Sequence, residues 1–125
     1  MPVVPARTAP AHELPGTRFT SLATPSRGSS ETAIWEILVA AGTAETPVHR
    51  VTREELFVVL SGCAAVVLDG VAEVATDGDT IIVPPDTDFS LANAGDNDLR
   101  MVCCLPVGGQ VSVDGEGTFT PPWAQ

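Results

Sequence analysis

The feature that most constrains this chain is a series of short apolar runs separated by turn signals. The runs at 32–40, 63–68 and 99–106 have the length of β-strands, and Gly, Pro or Asp stands between successive runs. Apolar residues nowhere keep the helical period of about 3.6 residues through several turns. Asp69-Gly70 lies between two apolar runs and is the strongest short-range signal for a β-hairpin. This pattern of about eight strands predicts an all-β sandwich, jelly roll or small barrel.

Length and composition fit one folded domain. Four of the 11 prolines in this chain of 125 residues fall within residues 1–15. Because proline blocks helix and lacks an amide donor, we expect 1–15 to be an extended N-terminal tail and 16–125 to be a single barrel domain. The tail has no sustained apolar core of the kind found in signal peptides, and no run reaches the length of a membrane span. We therefore expect a cytoplasmic protein.

The charge balance argues against several partners and mechanisms. Six arginines, no lysine and 16 acidic residues give a formal charge of 6 − 16 = −10. Because the arginines are scattered, no basic face is expected to displace the counterions of nucleic acid or of an anionic membrane. Without lysine no lysine Schiff base can form, and without tyrosine no phenol can act as acid or base. Histidine, carboxylates, thiols and water therefore remain for proton transfer. The three cysteines (Cys63, Cys103 and Cys104) lack metal-site spacing and are expected to be structural thiols.

Gly42, His49, Glu55 and Gly62, followed by Gly78, Pro84 and Asn93, form two spaced motifs in the middle of the chain. These motifs resemble those of the cupins, a family of double-stranded β-helix (jelly-roll) barrels. The family motifs are G-x5-H-x-H-x3-E-x6-G and G-x5-P-x-G-x2-H-x3-N. The matching residues are Gly42, His49, Glu55 and Gly62 for the first motif, with one extra residue before His49, and Gly78, Pro84 and Asn93 for the second. The resemblance implies that the chain is an all-β cupin barrel, with the likeness extending over most of 16–115.

The resemblance also implies an incomplete metal site. In metal-binding cupins, two histidines and the glutamate of the first motif join the histidine of the second motif around one divalent ion. Here Val51 stands at the second histidine position and Phe89 at the third. Catalytic transition-metal sites use about three protein ligands plus water. No metal cofactor is therefore expected; a divalent transition metal, if one binds, would use His49 and Glu55.

Strand alternation defines a predicted pocket. Side chains two residues apart share a strand face, and the resemblance implies that the face carrying His49 and Glu55 points inward. One parity of 101–105 joins this interior, either Met101, Cys103 and Leu105 or Val102 and Cys104. The result is an apolar chamber with one imidazole and one carboxylate, which suits a small molecule. The candidate catalytic residues are His49 and Glu55, and the pocket residues are Val51, Phe57, Val59, Phe89, Leu91 and Met101.

Three functions fit this pocket, so whether the protein is an enzyme stays open. The leading interpretation is a cupin-like binding or sensing module that holds a small apolar molecule without a metal. The second is a metal-independent isomerase, cyclase or lyase in which His49 moves a proton and Glu55 orients or stabilises it. The third is a metal-dependent, oxygenase-type cupin with an unusual ligand set. The resemblance further implies a homodimer.

Overall fold

The computed structural model describes residues 3–114 and 116–125. These residues form eleven β-strands and three 3-10 helices (Ala6–Thr8, Pro25–Arg27 and Pro122–Ala124). The strands are β1 (Ala11–Leu14), β2 (Thr17–Ala23), β3 (Thr32–Val39), β4 (His49–Val51), β5 (Glu55–Ser61), β6 (Cys63–Leu68), β7 (Val71–Thr76), β8 (Thr80–Val83), β9 (Phe89–Asn93), β10 (Leu99–Pro106) and β11 (Val111–Val113). The described part of the chain has no helix of a length and hydropathy suited to crossing a membrane.

The strands form two antiparallel sheets that share one core. The six-stranded sheet has the order β1-β2-β3-β10-β5-β8, and the five-stranded sheet has the order β11-β4-β9-β6-β7. Trp35 and Phe57 from the first sheet lie in the same buried cluster as Val66 and Phe89 from the second. The prediction of an all-β fold is confirmed.

Alternation along β10 decides which side chains reach this core. Met101, Cys103 and Leu105 are buried, whereas Val102 and Cys104 are only partly buried. The neighbouring strand β5 follows the same rule, and Cys103 pairs in register with Phe57. The odd-numbered parity of 101–105 therefore points inward.

Two turns show why glycine is needed where the chain changes direction. Asp69 and Gly70 have φ angles of 48° and 80° and connect β6 to β7, so the predicted hairpin is present with the positive φ values that its tight turn requires. Gly62 has a φ of 108° and connects β5 in one sheet to β6 in the other. A Cβ at Gly62 would lie 2.8 Å from the carbonyl oxygen of Asp98, so a larger residue would have to displace backbone.

The N-terminal segment differs from the expected extended tail. Ala11–Leu14 pairs with β2 and forms the edge of the six-stranded sheet, so a boundary after residue 15 would cut through a hairpin. Arg27 also holds the preceding residues, because its guanidinium donates to the carbonyl oxygens of Pro5 and Thr8 at 2.9 and 2.8 Å. The prolines flank this strand and do not interrupt it, so they leave its backbone donors in place.

Candidate functional site

A cavity of about 270 Å³ lies between the two sheets. Its walls are mostly apolar, and His49 and Glu55 are the ionisable side chains among the described residues that line it. The six-stranded sheet contributes Leu14, Thr17, Phe19, Trp35, Ile37, Val39, Glu55, Phe57, Leu99 and Met101; the five-stranded sheet contributes His49, Leu91, Ala92, Val111 and Val113; and loops and the C-terminal segment contribute Thr43, Ala44, Thr46, Pro47, Phe119, Pro121 and Trp123.

His49 begins β4 and presents a partly buried imidazole to the cavity. Its Nδ1 lies 2.8 Å from the carbonyl oxygen of Pro47, which can only accept a hydrogen bond. The neutral ring therefore carries its proton on Nδ1 and has its lone pair on Nε2. Burial lowers the pKa of His49 below its usual 6.5, and the bond to Pro47 opposes this shift.

Glu55 begins β5 and is buried, with only 5% of its surface exposed. The thiol of Cys103 on the neighbouring strand donates to its Oε2 at 3.2 Å. Burial raises the pKa of Glu55 to about 7, and the hydrogen bond from Cys103 limits the rise. Burial also raises the pKa of Cys103, so the thiol keeps the proton that it donates.

The two ionisable groups line the same cavity but are held independently. His49 is on β4 of the five-stranded sheet, whereas Glu55 is on β5 of the six-stranded sheet. The two groups have different hydrogen-bond partners. The His49 imidazole bonds to the carbonyl oxygen of Pro47, and the Glu55 carboxyl group accepts from the thiol of Cys103. A backbone carbonyl orients the imidazole, so of the two roles expected for Glu55, to orient or to stabilise His49, the hydrogen bonds leave the stabilising role.

The predicted pocket residues divide into two groups. Phe57, Leu91 and Met101 line the cavity together with His49 and Glu55. Three others face inward as expected but lie in the close-packed part of the core: Val51, Val59 and Phe89, each with 1% or less of its surface exposed. Side-chain volume explains this division, because the Phe89 ring fills the space beside the His49 ring at a centroid distance of 4.1 Å.

The terminal segments supply cavity walls that the motif-based prediction missed. Trp123 stacks on Phe19 with ring centroids 3.7 Å apart and an interplanar angle of 5°. The hydroxyl of Ser21 donates to the carbonyl oxygen of Trp123 at 2.7 Å and fixes this end of the chain. These contacts hold the C-terminal segment against the barrel. Trp35 is buried and also lines the cavity.

The side chains at the cupin metal position do not form a complete ligand set. His49 and Glu55 keep their donors, but Val51 and Phe89 offer none. Among residues 3–114 and 116–125, no three His, Cys, Asp or Glu side chains cluster so that they could hold a metal ion. Asp86, at a family glycine position, keeps a glycine-like backbone with φ 56°. The backbone at Asp86 is thus compatible with glycine, but Val51 and Phe89 supply no donors, and the residues do not fit the family's metal centre.

Two antiparallel sheets closed over an internal cavity define an all-β barrel of the jelly-roll class. The cupin domain family matches residues 35–105, more than half of the chain. The chain belongs to the cupin family, as its two sequence motifs predicted.

Comparisons with individual proteins agree with this assignment. An uncharacterized protein from Methanocaldococcus jannaschii is 34% identical over 70 residues, and the match spans about half of each chain (55% of both). The polyketide cyclase RemF from Streptomyces resistomycificus has a similar fold, with a TM-score of 0.78 at 20% identity, covering 94% of this chain and 87% of that one. An RmlC-like cupin from Shewanella frigidimarina gives a TM-score of 0.70 at 22% identity, covering 83% and 88%. These two structures share the fold.

Proposed function

We propose that this cupin binds a small apolar molecule in the cavity between its sheets and does so without the family's metal ion. The cavity carries the proposal: about 270 Å³ of space with mostly apolar walls and two ionisable groups. Small-molecule sites typically combine an apolar enclosure with a few polar groups that fix the ligand's orientation. A polyketide cyclase has a similar fold, which supports an organic molecule as the ligand.

A thermal-shift experiment tests binding. An aromatic probe such as 2-acetylnaphthalene should raise the melting temperature of the wild-type protein in a concentration-dependent way, because a ligand of the folded state stabilises it. Val111→Trp should abolish the shift by filling the cavity that Val111 lines. Val71→Trp places the same side chain on an exposed strand position outside the cavity and should leave the shift unchanged. An equal shift in both variants would place the probe elsewhere on the molecule.

A metal-independent enzyme is the second candidate function. The fixed tautomer of His49 supports it, because the hydrogen bond to Pro47 leaves the Nε2 lone pair free as a base. Glu55 faces the same cavity, and its pKa of about 7 lets it act as a proton donor near neutral pH. In an enolisable ketone, Nε2 would remove a proton from the α-carbon while Glu55 protonates the carbonyl oxygen to give the enol. For an isomerisation, the enol O–H proton returns to Glu55 and His49 returns its proton to carbon. For a cyclisation, the enol carbon would attack a second carbonyl of the substrate, whose C=O π bond breaks; the resulting alkoxide takes the proton from His49, and the enol O–H proton returns to Glu55.

Hydrogen–deuterium exchange tests this second function. In D₂O, the enzyme should accelerate loss of the methyl proton signal of 2-acetylnaphthalene, followed by NMR, with and without a chelator. His49→Gln should remove the acceleration while the cavity still binds the probe. Exchange that depends on added metal, or that persists in His49→Gln, would reject the proposed base.

We also propose that the protein forms a homodimer through the outer face of the six-stranded sheet. Val58, Leu60 and Ile82 are exposed there by 37%, 43% and 56%. Exposed apolar side chains on adjacent strands favour association. Light scattering should give the dimer mass for the wild type and the monomer mass for Val58→Arg.

A further inference from the structure

Only one of the two carboxyl oxygens of Glu55 has a hydrogen-bond partner. Its Oε2 accepts from the thiol of Cys103 at 3.2 Å. No donor among the described residues bonds to its Oε1. A polar atom that leaves water without gaining a hydrogen bond is unfavourable, so Oε1 is the atom of this buried side chain that a ligand could satisfy.

The accessible surface of Oε1 faces the cavity. The described side-chain oxygens and nitrogens that are shut off from solvent without a partner are the Ser29 hydroxyl and the Trp35 indole nitrogen, and Oε1 is not one of them. Oε1 therefore keeps some accessible surface. Only 5% of Glu55 is exposed, and the cavity is the open space that this residue lines. A ligand in the cavity can thus reach Oε1.

Oε1 can be an acceptor or a donor, depending on the charge of Glu55. The titratable side chains that face Glu55 are Cys103 on the neighbouring strand β10 and His49 across the cavity; the other neighbouring strand, β8 (Thr80–Val83), has none. An ionised Glu55 can only accept hydrogen bonds. In the neutral acid the proton lies on Oε1, because Oε2 accepts from the thiol, so Oε1 can then donate into the cavity.

A ligand hydroxyl matches Oε1 in both charge states. It donates to the ionised carboxylate and accepts from the neutral acid. A carbonyl oxygen can only accept, so it matches the neutral acid alone, and a hydrocarbon matches neither form. Because the match is made at Oε1, it holds whether His49 is neutral or protonated.

The size and walls of the rest of the cavity suit one or two aromatic rings. An apolar protein cavity of about 150 Å³ holds benzene, and this one measures about 270 Å³. Phe19, Phe57 and Trp123 supply flat surfaces against which a planar ring can pack.

We propose that the ligand of this cavity is a hydroxylated aromatic compound whose O–H group binds Oε1 of Glu55. This inference rests on the proposed binding function and adds the chemical class of the ligand and the atom that selects it.

Three naphthalene probes test the inference on the full chain by isothermal titration calorimetry. 2-Naphthol carries the hydroxyl, 2-methylnaphthalene has a methyl group of nearly the same size, and 2-acetylnaphthalene has an acceptor only. The titrations are made at about pH 5.5 and about pH 8.5, on either side of the Glu55 pKa of about 7. Phenol groups ionise near pH 10, so 2-naphthol stays uncharged at about both pH values.

The hydroxyl preference should be largest when Glu55 is ionised. At the higher pH, 2-naphthol should bind at least about tenfold more tightly than 2-methylnaphthalene, because only the hydroxyl gives Oε1 a hydrogen bond. The ratio of the naphthol affinity to the ketone affinity should rise by about tenfold from the lower to the higher pH, because ionisation removes the proton that Oε1 donates to the ketone. The difference in shape between these two probes cancels in this comparison.

Matched substitutions assign the pH effect to one carboxyl group. Glu55→Gln keeps the size of the side chain and removes its titration, so the ratio of the naphthol and ketone affinities should be the same at both pH values. Glu54→Gln makes the same change at the exposed neighbouring residue and should keep the wild-type rise. His49→Gln removes the other titratable group of the cavity wall, and the rise should persist in this variant too.

A measurement on the wild-type protein decides the point even if Glu55→Gln does not fold. In protein labelled with ¹³C-glutamate, the side-chain carboxyl resonance of Glu55 should titrate at a lower pH in the naphthol complex than in the ketone complex. The hydroxyl stabilises the ionised form through a charge-assisted hydrogen bond, whereas the ketone stabilises the neutral acid.

The outcomes separate this inference from the proposed function. Equal binding of 2-naphthol and 2-methylnaphthalene at the higher pH, or equal titration midpoints in the two complexes, would overturn the inference while apolar binding still stands. A rise in the affinity ratio that persists in Glu55→Gln would do the same. If none of the three probes binds the wild-type protein, both the inference and the proposed function fail.

Discussion

The interior between the two sheets is close-packed in one region and open in another, although the same strands build both. β4 contributes Val51 to the packed region and His49 to the cavity. β9 divides in the same way, with Phe89 packed and Leu91 lining the cavity. Strand alternation decides only which side chains point inward. Whether an inward position is filled or open depends on the volume of the side chains that meet there from the two sheets.

The two regions also differ in chemistry. The packed region contains both apolar residues that stand at cupin metal-ligand positions, Val51 and Phe89. The cavity keeps the two remaining donors, and each is held by its own neighbour. Two of the four positions that correspond to cupin metal ligands are therefore part of the core, and the other two face an apolar space.

The largest expected effect is the gain of a metal site when histidines replace Val51 and Phe89 in the packed region. Val51→His together with Phe89→His adds two imidazoles on the inner face that already carries His49, whose ring lies against that of Phe89. With Glu55, this supplies four donors of the types that Zn²⁺ accepts. We expect about one Zn²⁺ per chain after dialysis of the double variant, and far less for the wild type, measured by elemental analysis.

The control for this change is Val51→Leu with Phe89→Leu, which alters the same positions without adding donors. A double histidine variant that folds, as judged by circular dichroism, but retains no more metal than this control would show that the four positions do not converge.

The next effect compares truncation in the two regions. Phe89→Ala should lower the free energy of unfolding by about 3–5 kcal/mol, because it leaves a void in a close-packed part of the core. Leu91→Ala should lower it by only about 2 kcal/mol, because one side of Leu91 already faces empty space. Urea denaturation measures both. Equal losses would contradict the division into a packed and an open region.

The strands were predictable because period-two patterns and turn residues are local signals. The runs at 63–68, 99–106 and 32–40 became β6, β10 and β3 with boundaries equal or within one residue. The N-terminal strand was missed because its prolines suggested a tail, whereas its pairing with β2 depends on a turn at Pro15-Gly16.

The site was predictable only in part. The inward orientation of Glu55, Phe57 and Met101 follows from alternation and from the cupin motifs. The partners of the polar groups do not, because Glu55 meets Cys103 48 residues away through the pairing of two strands. The stacking of Phe19 on Trp123 joins opposite ends of the chain and has no local sequence signal.

A smaller effect distinguishes Glu55 from the packed residues by its dependence on pH. Its folded-state pKa of about 7 lies above the ordinary 4.5, so the unfolded state loses the proton first as pH rises. The free energy of unfolding therefore falls by up to roughly 3 kcal/mol between pH 4.5 and 7 and is constant above that range. Glu55→Gln should remove this dependence, so its stability relative to wild type should rise with pH over the same range. A constant difference from pH 4.5 to 8 would show that burial does not raise the pKa of Glu55.

The smallest effect is the pH dependence of stability that arises from His49, which runs in the opposite direction to that of Glu55. Its folded-state pKa is lowered from 6.5, so folding favours the neutral ring. The contribution of the neutral His49 ring to the free energy of unfolding is complete above pH 6.5. It is lost as pH falls below that value, because the unfolded state then binds the proton more readily. His49→Gln should therefore gain stability relative to wild type on the acid side only. Because His49 and Glu55 have separate hydrogen-bond partners, the two substitutions should be additive within about 0.5 kcal/mol at each pH in a double-mutant cycle. A larger coupling would mean that the two groups interact across the cavity, and their independence on opposite sheets would have to be abandoned.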